Sequence, residues 1–356
     1  MRLEKRAQAS AMAYALAPVG AVMFTLLVSA ALVLWAGAAV TQTYGAILVG
    51  GFGSLCALSE TLMRAVPLMF TGLAAAVAFK ARLFNIGAEG QLYGGAMAAV
   101  AVGGVAAGGE LFAPTWVVFP LMLISAAVVG ALLLLGPALL KLRFGVDEVV
   151  TTLLMNFIVL LGVSALLDGP MKDAGAMGWP QSLALASDLE LWRPFEGLRL
   201  HSGLFMAALL AVALWLVFKH AVLGFDIRAT GANARAASFA GVPAFRTNLM
   251  VALMSGALAG LAGAIEVAGR TSYVTMDMSP GYGYSGIVIA MLAALHPLGV
   301  IAASIFVAGV MVGADAMSRV VGVPTYIADV IVATSLIAVL VATLLTQYRV
   351  RWSEGK

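Results

Sequence analysis

Long apolar runs recur along this chain, and they constrain its fold more than any other feature of the sequence. A helix needs about 20 predominantly apolar residues to cross the roughly 30 Å hydrocarbon layer of a bilayer. The composition agrees, because 62% of the 356 residues are hydrophobic and 10% are charged. A soluble domain carries about 25% charged residues. The sequence therefore predicts an all-α integral membrane protein.

The apolar runs predict about ten transmembrane helices, at 15–38, 60–79, 88–107, 117–140, 149–167, 203–219, 248–268, 282–295, 298–317 and 324–345. The Gly-rich segment 40–59 is only moderately apolar, and we expect an outer loop that carries a short interfacial or re-entrant helix. An eleventh span there would invert every segment that follows.

The distribution of basic residues predicts the orientation of these helices. With the N-terminus inside, 14 of the 20 Lys and Arg residues fall on the inner side and 6 on the outer side. Short cytoplasmic loops are enriched in Lys and Arg. Both termini are therefore expected in the cytoplasm, with 346–356 as a cytoplasmic tail.

Ten spans divide into two halves of five, 1–167 and 203–345, and the two halves enter the membrane from opposite sides. Transporters built from such inverted repeats place the substrate path at the repeat interface, near broken helices in corresponding positions. We therefore expect the path at the start of the third span of each half.

The predicted extracytoplasmic loop, 168–202, is polar and is interrupted by Pro170, Pro180 and Pro194. Proline in a helix interior removes a hydrogen bond and clashes with the preceding turn, so long helices are not expected. Two interpretations remain open, a solvated lid and a docking surface for an external binding protein.

Two stretches carry the polar and Gly-rich pattern of a broken helix. The first contains Asn85, Gly87, Glu89 and Gln91 at the mouth of an apolar span, where a carboxylate is costly unless it faces a cavity or a partner. Its alternative is an ordinary first helical turn, exposed on the inner side. The second is the stretch 279–286, which includes three glycines, Tyr282, Tyr284 and Ser285.

Further polar residues lie within or near the spans. Asn156 is expected either to join helices by hydrogen bonds or to face the path. Three carboxylates, those of Glu266, Asp315 and Asp329, could carry ions in a secondary transporter or could be solvated at outer helix ends. Gly256 and Gly260 are spaced for close helix packing.

The sequence also excludes some chemistry. It contains no G-x-x-x-x-G-K-[ST] loop, so this chain cannot cradle ATP phosphates in that way. Its single cysteine, Cys56, excludes an internal disulfide. The three histidines are scattered, so no metal site is expected, and no residues are assigned to catalysis.

The longest polar interruption on the predicted inner face is 219–247. Asn233 is suited to N-cap a short helix over Ala234 to Ala240, and Gly241 with Pro243 should end it. So short a helix is marginal in water and must dock on something. An ordinary loop and a coupling element offered to a soluble partner are both compatible with this pattern.

Four stretches resemble permeases of ABC importers of the ribose and branched-chain amino acid type, nearest the nucleoside and simple-sugar subgroup. They are F-x-A-x-L-F-N-I-G-A-E-G-Q, the G-V-D-E-V-V-T-T-L-L-M-N stretch at 145–156, the 224–243 loop, and G-Y-G-Y-S-G-I with the P-L-G that follows. The similarity covers about 45–345. Arg82, Ser285 and the pair Leu295-His296 depart from the usual pattern, which bears on the substrate more than on the family.

The resemblance implies a transport subunit that is not itself an enzyme, in the bacterial cytoplasmic (inner) membrane. Its implied partners are an ABC ATPase, which holds ATP and Mg, a second permease chain that is different but homologous, and an extracytoplasmic solute-binding protein. No cofactor is expected on this chain, and no nucleic acid is expected as a partner. The ATPase-facing residues are expected to be Gly224, Arg228, Gly231, Asn233, Arg235, Ala236, Ala237 and Gly241.

By the same resemblance, the path for a nucleoside or simple sugar is expected near Asn85, Gly87, Glu89 and Asn156. The full set of residues assigned to the path comes from both broken stretches and from the span that holds Asn156; it is Asn85, Gly87, Glu89, Gln91, Asn156, Tyr282, Tyr284 and Ser285. The alternative function is an ion-coupled secondary transporter with no ATPase partner.

Overall fold

A computed structural model describes residues 2–5, 11–106, 109–195, 197–322, 326, 330, 333–335, 337–338, 341–342 and 348–351. Within them, the chain is predominantly helical. The helices are α1 (Ala11–Trp35), α2 (Val40–Phe52), α3 (Leu55–Lys80), α4 (Ala88–Gly103), α5 (Thr115–Phe144), α6 (Glu148–Asp168), α7 (Gly203–His220), α8 (Val222–Ala232), α9 (Ala234–Phe239), α10 (Ala244–Glu266), α11 (Tyr282–Leu292) and α12 (Pro297–Val321).

Four short strands form two antiparallel pairs. β1 (Arg2–Lys5) pairs with β4 (Tyr348–Arg351), so the segments next to the two termini lie side by side. β2 (Gly104–Val105) pairs with β3 (Ala184–Leu185). That both termini are cytoplasmic stays a prediction.

Nine of the ten predicted spans coincide with a helix, and much of the tenth, 324–345, lies outside the described residues. Six described helices are long and apolar enough to cross a membrane alone, and a seventh crossing is obtained if the bent pair Met23–Trp35 and Val40–Phe52 counts as one. α4 and α11 are too short for this criterion. The count of ten therefore stays a prediction.

The chain divides into two compact units, 1–62 with 305–356, and 63–304. In the first unit, the segment 40–59 contains the short helix α2, joined to α1 by a 120° bend. α2 packs on α12 through glycines, since an added Cβ at Gly51 would lie 2.5 Å from the Gly309 carbonyl oxygen. The same close approach brings Gly313 against the Ile47 carbonyl.

In the second unit, α4 is almost wholly buried between α5, α6 and α10. Glycines bring the three backbones α4, α5 and α10 into contact: a methyl group on Gly95 would overlap the Gly260 carbonyl, and one on Gly260 would overlap the Ala126 carbonyl. Gly256 faces the Gly130 carbonyl in the same way. The close packing predicted for Gly256 and Gly260 is confirmed.

The turn between α5 and α6 follows directly from its sequence. Gly145 adopts a left-handed φ of 68°, and its N–H bonds back to the carbonyls of Leu140 and Lys141. Asp147 then caps α6, with its Oδ1 accepting from the Val149 N–H at 2.8 Å. A left-handed glycine and an acidic N-cap are the usual signals for ending one helix and starting the next.

The predicted outer loop forms an ordered layer without long helices, as its prolines indicated. Leu185 N donates to the Ser272 carbonyl at 2.6 Å, and Leu191 N donates to the Ala268 carbonyl at 2.8 Å. Ala186 N bonds the carbonyl of Gly103 at the end of α4. These bonds attach the layer to the backbone that follows α10 and to the end of α4.

His201 is buried at the end of this layer, against Gly269. Its Nδ1 accepts from the Gly203 N–H at 3.2 Å, so this nitrogen carries no proton. Burial, with a smaller contribution from the positive charge of Arg193, lowers the pKa of His201 from 6.5 to about 4. The neutral imidazole is therefore part of the folded layer at neutral pH.

We expect Gly260→Val to destabilise the protein, because the side chain would overlap the α5 backbone. Overpacking of this kind costs about 1–3 kcal/mol. The measurement is the thermal unfolding midpoint of the purified protein in detergent. Gly162→Ala is the control, since nothing lies within 4 Å of a Cβ there; an equal loss in both variants would contradict the packing argument.

Acidification should loosen the outer layer. Since the folded pKa of His201 lies below its unfolded value, its stabilising effect is complete above about pH 6.5 and is lost as the pH falls through about 4. A shift of this size corresponds to at most about 3 kcal/mol. Amide hydrogen exchange in 168–202, measured from pH 7 to 4, should show this loss of protection in the wild type. If His201→Gln shows the same pH dependence as the wild type, His201 is not its cause.

Candidate functional site

The segment between α3 and α4 is held by two side-chain amides. Asn85 and Gln91 bond to each other twice, Nδ2 to Oε1 and Nε2 to Oδ1, each at 2.9 Å. Asn85 Oδ1 also accepts from the Gly87 N–H at 3.0 Å. Both amide side chains are buried. They thus supply hydrogen-bond partners where the helical backbone is interrupted.

This amide pair is tied to two further helices through Ser255 on α10. Asn85 Nδ2 donates to the Ser255 hydroxyl at 3.0 Å, and that hydroxyl donates to the Ala74 carbonyl of α3 at 2.8 Å. Ser255 was not predicted from the sequence. Its spacing from Gly256 and Gly260 on one apolar helix is the only signal that could have marked it.

Asn156 on α6 joins both broken stretches. Its Oδ1 accepts from the Gly90 N–H at 2.8 Å, and its Nδ2 donates to the Ile86 carbonyl at 2.8 Å and the Tyr284 hydroxyl at 3.2 Å. The side chain is buried. Of the two interpretations offered for Asn156, the geometry favours the hydrogen-bonded join between helices.

Glu89 connects the first turns of α4 and α11. Its Oε2 accepts from the Gly283 N–H at 2.6 Å, and Gly283 packs directly on the Glu89 backbone. Helix N-termini carry partial positive charge and favour an anion. One carboxylate therefore compensates two helix N-termini that meet. Glu89 is buried, so its alternative as an exposed residue of the inner side is wrong.

A second carboxylate is buried where α10 ends. Glu266 Oε1 is 2.8 Å from Arg270 Nη1, which also donates to the Tyr282 hydroxyl at 3.0 Å. Residues Val267–Thr271 form a π-helical turn, which brings Arg270 into this position. The expectation that Glu266 is a solvated outer residue is wrong. Asp315 is partly buried, and Asp329 lies outside the described residues.

The segment that follows the π-helical turn is fixed from α4 by Tyr93. The Tyr93 hydroxyl donates to the Met276 carbonyl at 2.6 Å and accepts from the Ser279 N–H at 3.2 Å. Ser279 Oγ in turn accepts from the Tyr282 N–H at 3.0 Å. The start of α11 is therefore positioned from α4 at two points, Glu89 and Tyr93.

The eight residues predicted for the path lie at this junction, but they differ in exposure. Tyr284 is 40% exposed, whereas the other seven are buried; they are Asn85, Gly87, Glu89, Gln91, Asn156, Tyr282 and Ser285. Of the buried members, Asn85, Glu89 and Asn156 bond backbone groups. Tyr284 is the member of this set whose side chain is exposed.

The other end of the 81–87 segment is held by an ion pair that sequence reasoning missed. Lys141 Nζ is 2.5 Å from Glu148 Oε1 and 2.8 Å from the Arg82 carbonyl oxygen. Glu148 Oε1 also accepts from the Phe84 N–H at 3.3 Å. Arg82 has a positive φ of 56°, an uncommon conformation for a residue with a side chain.

The polar segment 219–247 contains two helices, α8 and α9. The short helix predicted after Asn233 is confirmed as Ala234–Phe239, and Asn233 Oδ1 accepts from the N–H groups of Arg235 and Ala236, each at 3.1 Å. Gly241 follows it with a left-handed φ of 88°. The preceding helix, Val222–Ala232, was not predicted.

The residues predicted to face an ATPase fall into two groups. Gly224, Gly231 and Ala237 are buried against this chain, and the exposed members are Arg228, Asn233, Arg235, Ala236 and Gly241. The first group seats the two helices and the second presents a surface. Phe239, which was missed, is 96% exposed at the end of α9. An aromatic residue two positions before the predicted helix stop at Gly241 is the sequence signal that could have identified it.

A family model described as the permease component of branched-chain amino acid transport systems matches residues 57–340. No solved structure matches the chain. Within the described residues, no group of three potential metal-ligating side chains occurs.

Among curated proteins, the chain is 34% identical to a guanosine ABC transporter permease of Bacillus subtilis over 352 residues, 97% of each chain. It is 36% identical to a glucose ABC transporter permease of Haloferax volcanii, covering 87% of this chain and 82% of the relative. It is 29% identical to a nucleoside ABC transporter permease of Lactococcus lactis, over 89% of this chain and 88% of the relative. The chain is therefore a multi-pass membrane protein that belongs to the family of branched-chain amino acid transport permeases.

Proposed function

We propose that this chain is a permease subunit of an ATP-binding cassette importer and forms part of the translocation path for a small polar solute. The observation that carries the proposal is the pair α8 and α9. Their buried residues anchor them to this chain, while α9 presents Arg235 and the exposed ring of Phe239. An aromatic ring and an arginine on a small exposed surface are the residue types that dominate protein–protein binding.

The solute is a nucleoside or a simple sugar. Support comes from the relatives named as guanosine, nucleoside and glucose permeases. Tyr284 offers a partly exposed ring next to the junction of α4 and α11. An aromatic face stacks on a nucleobase or on the apolar face of a sugar, and a buried polar network keeps that ring in position.

The complete transporter requires an ABC ATPase with ATP and Mg, a second permease chain and an extracytoplasmic solute-binding protein. Bacillus subtilis and Lactococcus lactis each have a second, less similar ABC permease among the relatives, at 25% and 22% identity. This supports a pair of different permease chains. We place the assembly in the bacterial cytoplasmic membrane, with α8 and α9 on the inner side and 168–202 outside.

An ion-coupled transporter is the weaker alternative. It needs a carboxylate that can bind and release an ion within the membrane. Glu266 is held by Arg270, and Glu89 is held by the Gly283 N–H. These geometries are those of structural carboxylates.

Removing the exposed ring of α9 should release the ATPase. We expect Phe239→Ala to lower the amount of ATPase that co-purifies from gently solubilised native membranes at least tenfold, since an aromatic hot spot contributes about 2 kcal/mol or more. Arg235→Glu should also lower the amount of ATPase that co-purifies. Phe112→Ala is the matched control, a Phe that is 69% exposed on the predicted outer side. Recovery of no ATPase with the wild type would refute the importer.

Tyr284 should determine solute uptake through its ring. In proteoliposomes that contain the whole importer, Tyr284→Ala should reduce guanosine uptake about tenfold, because stacking of a base on an aromatic ring contributes about 1–3 kcal/mol. Tyr284→Phe keeps the ring and should stay within about threefold of the wild type. Both variants should retain the ATPase. Equal loss in both would point to the hydroxyl bonded by Asn156 and not to stacking.

A further inference from the structure

The last residue of α3, Lys80, contacts three other parts of the second unit. Its side chain is half-buried, and its Nζ lies 4.5 Å from the centre of the Phe218 ring on α7. The same Nζ donates to the Leu295 carbonyl oxygen at 3.3 Å. A cation over an aromatic face is held by the ring quadrupole. Lys80 is therefore fixed between α7 and the turn that joins α11 to α12.

The backbone of Lys80 carries the third contact. Gly231 of α8 packs on the Lys80 carbonyl so closely that a methyl group on Gly231 would overlap it. Arg228, one turn earlier on α8, lies near enough for its charge to act on the Lys80 ammonium. A displacement of α8 therefore acts directly on the end of α3.

The turn that receives the Lys80 hydrogen bond is conformationally strained. Ala294 and Leu295 both have positive φ, 49° and 58°, although neither is glycine. Consecutive left-handed residues with side chains persist only where their surroundings hold them. The bond from Lys80 Nζ to the Leu295 carbonyl is one such contact.

α11 connects this turn to the helix junction. It has 11 residues, so its length is about 16 Å at 1.5 Å per residue. Its first turn is bonded to Glu89 through the Gly283 N–H. The turn at Leu295 and the Glu89 junction therefore lie at the two ends of one continuous helix.

We propose that Lys80 is the positioning residue that transmits movement of α8 to the turn 293–296, and through α11 to the junction with α4. The inference rests on the proposed function, because it takes the ATPase as the source of the movement. It adds a mechanical route from the ATPase-facing helices to the path, with Lys80 at the step between them.

The test follows the turn itself and needs no knowledge of the solute. His296, which is exposed, is changed to cysteine in a Cys56→Ser background, since Cys56 is an exposed cysteine. The complete importer is reconstituted in nanodiscs, and the rate of maleimide labelling at position 296 is measured without nucleotide and with ATP plus vanadate.

We expect trapping with ATP and vanadate to change the labelling rate severalfold in the otherwise wild-type importer. Lys80→Met should abolish this change while the ATPase still co-purifies and still hydrolyses ATP. Lys80→Arg should restore the change, because an arginine can also donate to the Leu295 carbonyl. Lys219→Met is the matched control: this lysine also stacks on a ring, that of Trp215 at 4.9 Å, and should have no effect.

The outcomes separate the inference from the proposed function. If the ATPase assembles but Lys80→Met labels like the wild type, the route through Lys80 is wrong and the importer stands. The route is also refuted if the labelling rate at position 296 in the otherwise wild-type importer is the same with and without ATP plus vanadate. If no ATPase assembles with the wild type, the proposed function fails, and the route fails with it.

Discussion

The structure depends on the need to satisfy every backbone polar group inside an apolar medium. A broken helix leaves N–H and C=O groups that no lipid can bond. Asn85 and Asn156 meet this need at the start of α4, and Glu89 meets it where α11 begins. Two helices can thus start within the protein because three side chains replace the missing turns. The polar residues at this site are first of all its structural supports.

Close approach of backbones is the second condition. α4 has neighbours on nearly every side, and glycines at its contacts with α10 and α11 let main chains touch. Because Gly283 lies directly on the Glu89 backbone, the carboxylate reaches the N–H of the neighbouring helix. Packing and hydrogen bonding at the junction therefore depend on the same residues, and a larger side chain at Gly283 would disrupt both.

The sequence predicted the elements whose signals are local. Apolar runs located the helices, Asn233 with Gly241 located α9, and prolines excluded long helices from 168–202. The location of the site was predicted but not its contacts, since the two broken stretches do lie together. The Glu266–Arg270 ion pair has the i,i+4 spacing of helical pairs, so the sequence could have indicated it. The partner of Lys80 could not be read from the sequence, because it is a carbonyl 215 residues away. Exposure was equally hidden, since buried and exposed members of one motif have the same composition.

The exposed ring of Phe239 also bears on how such a subunit is made. In a chain without its partner, this ring and the neighbouring Arg235 face water on a small, capped helix. Exposed apolar surface of this kind invites self-association and recognition by chaperones and proteases. Surplus copies would be removed while assembled ones are protected. Under the proposed function, the helix that faces the ATPase would then also set the stoichiometry of the subunits in the cell.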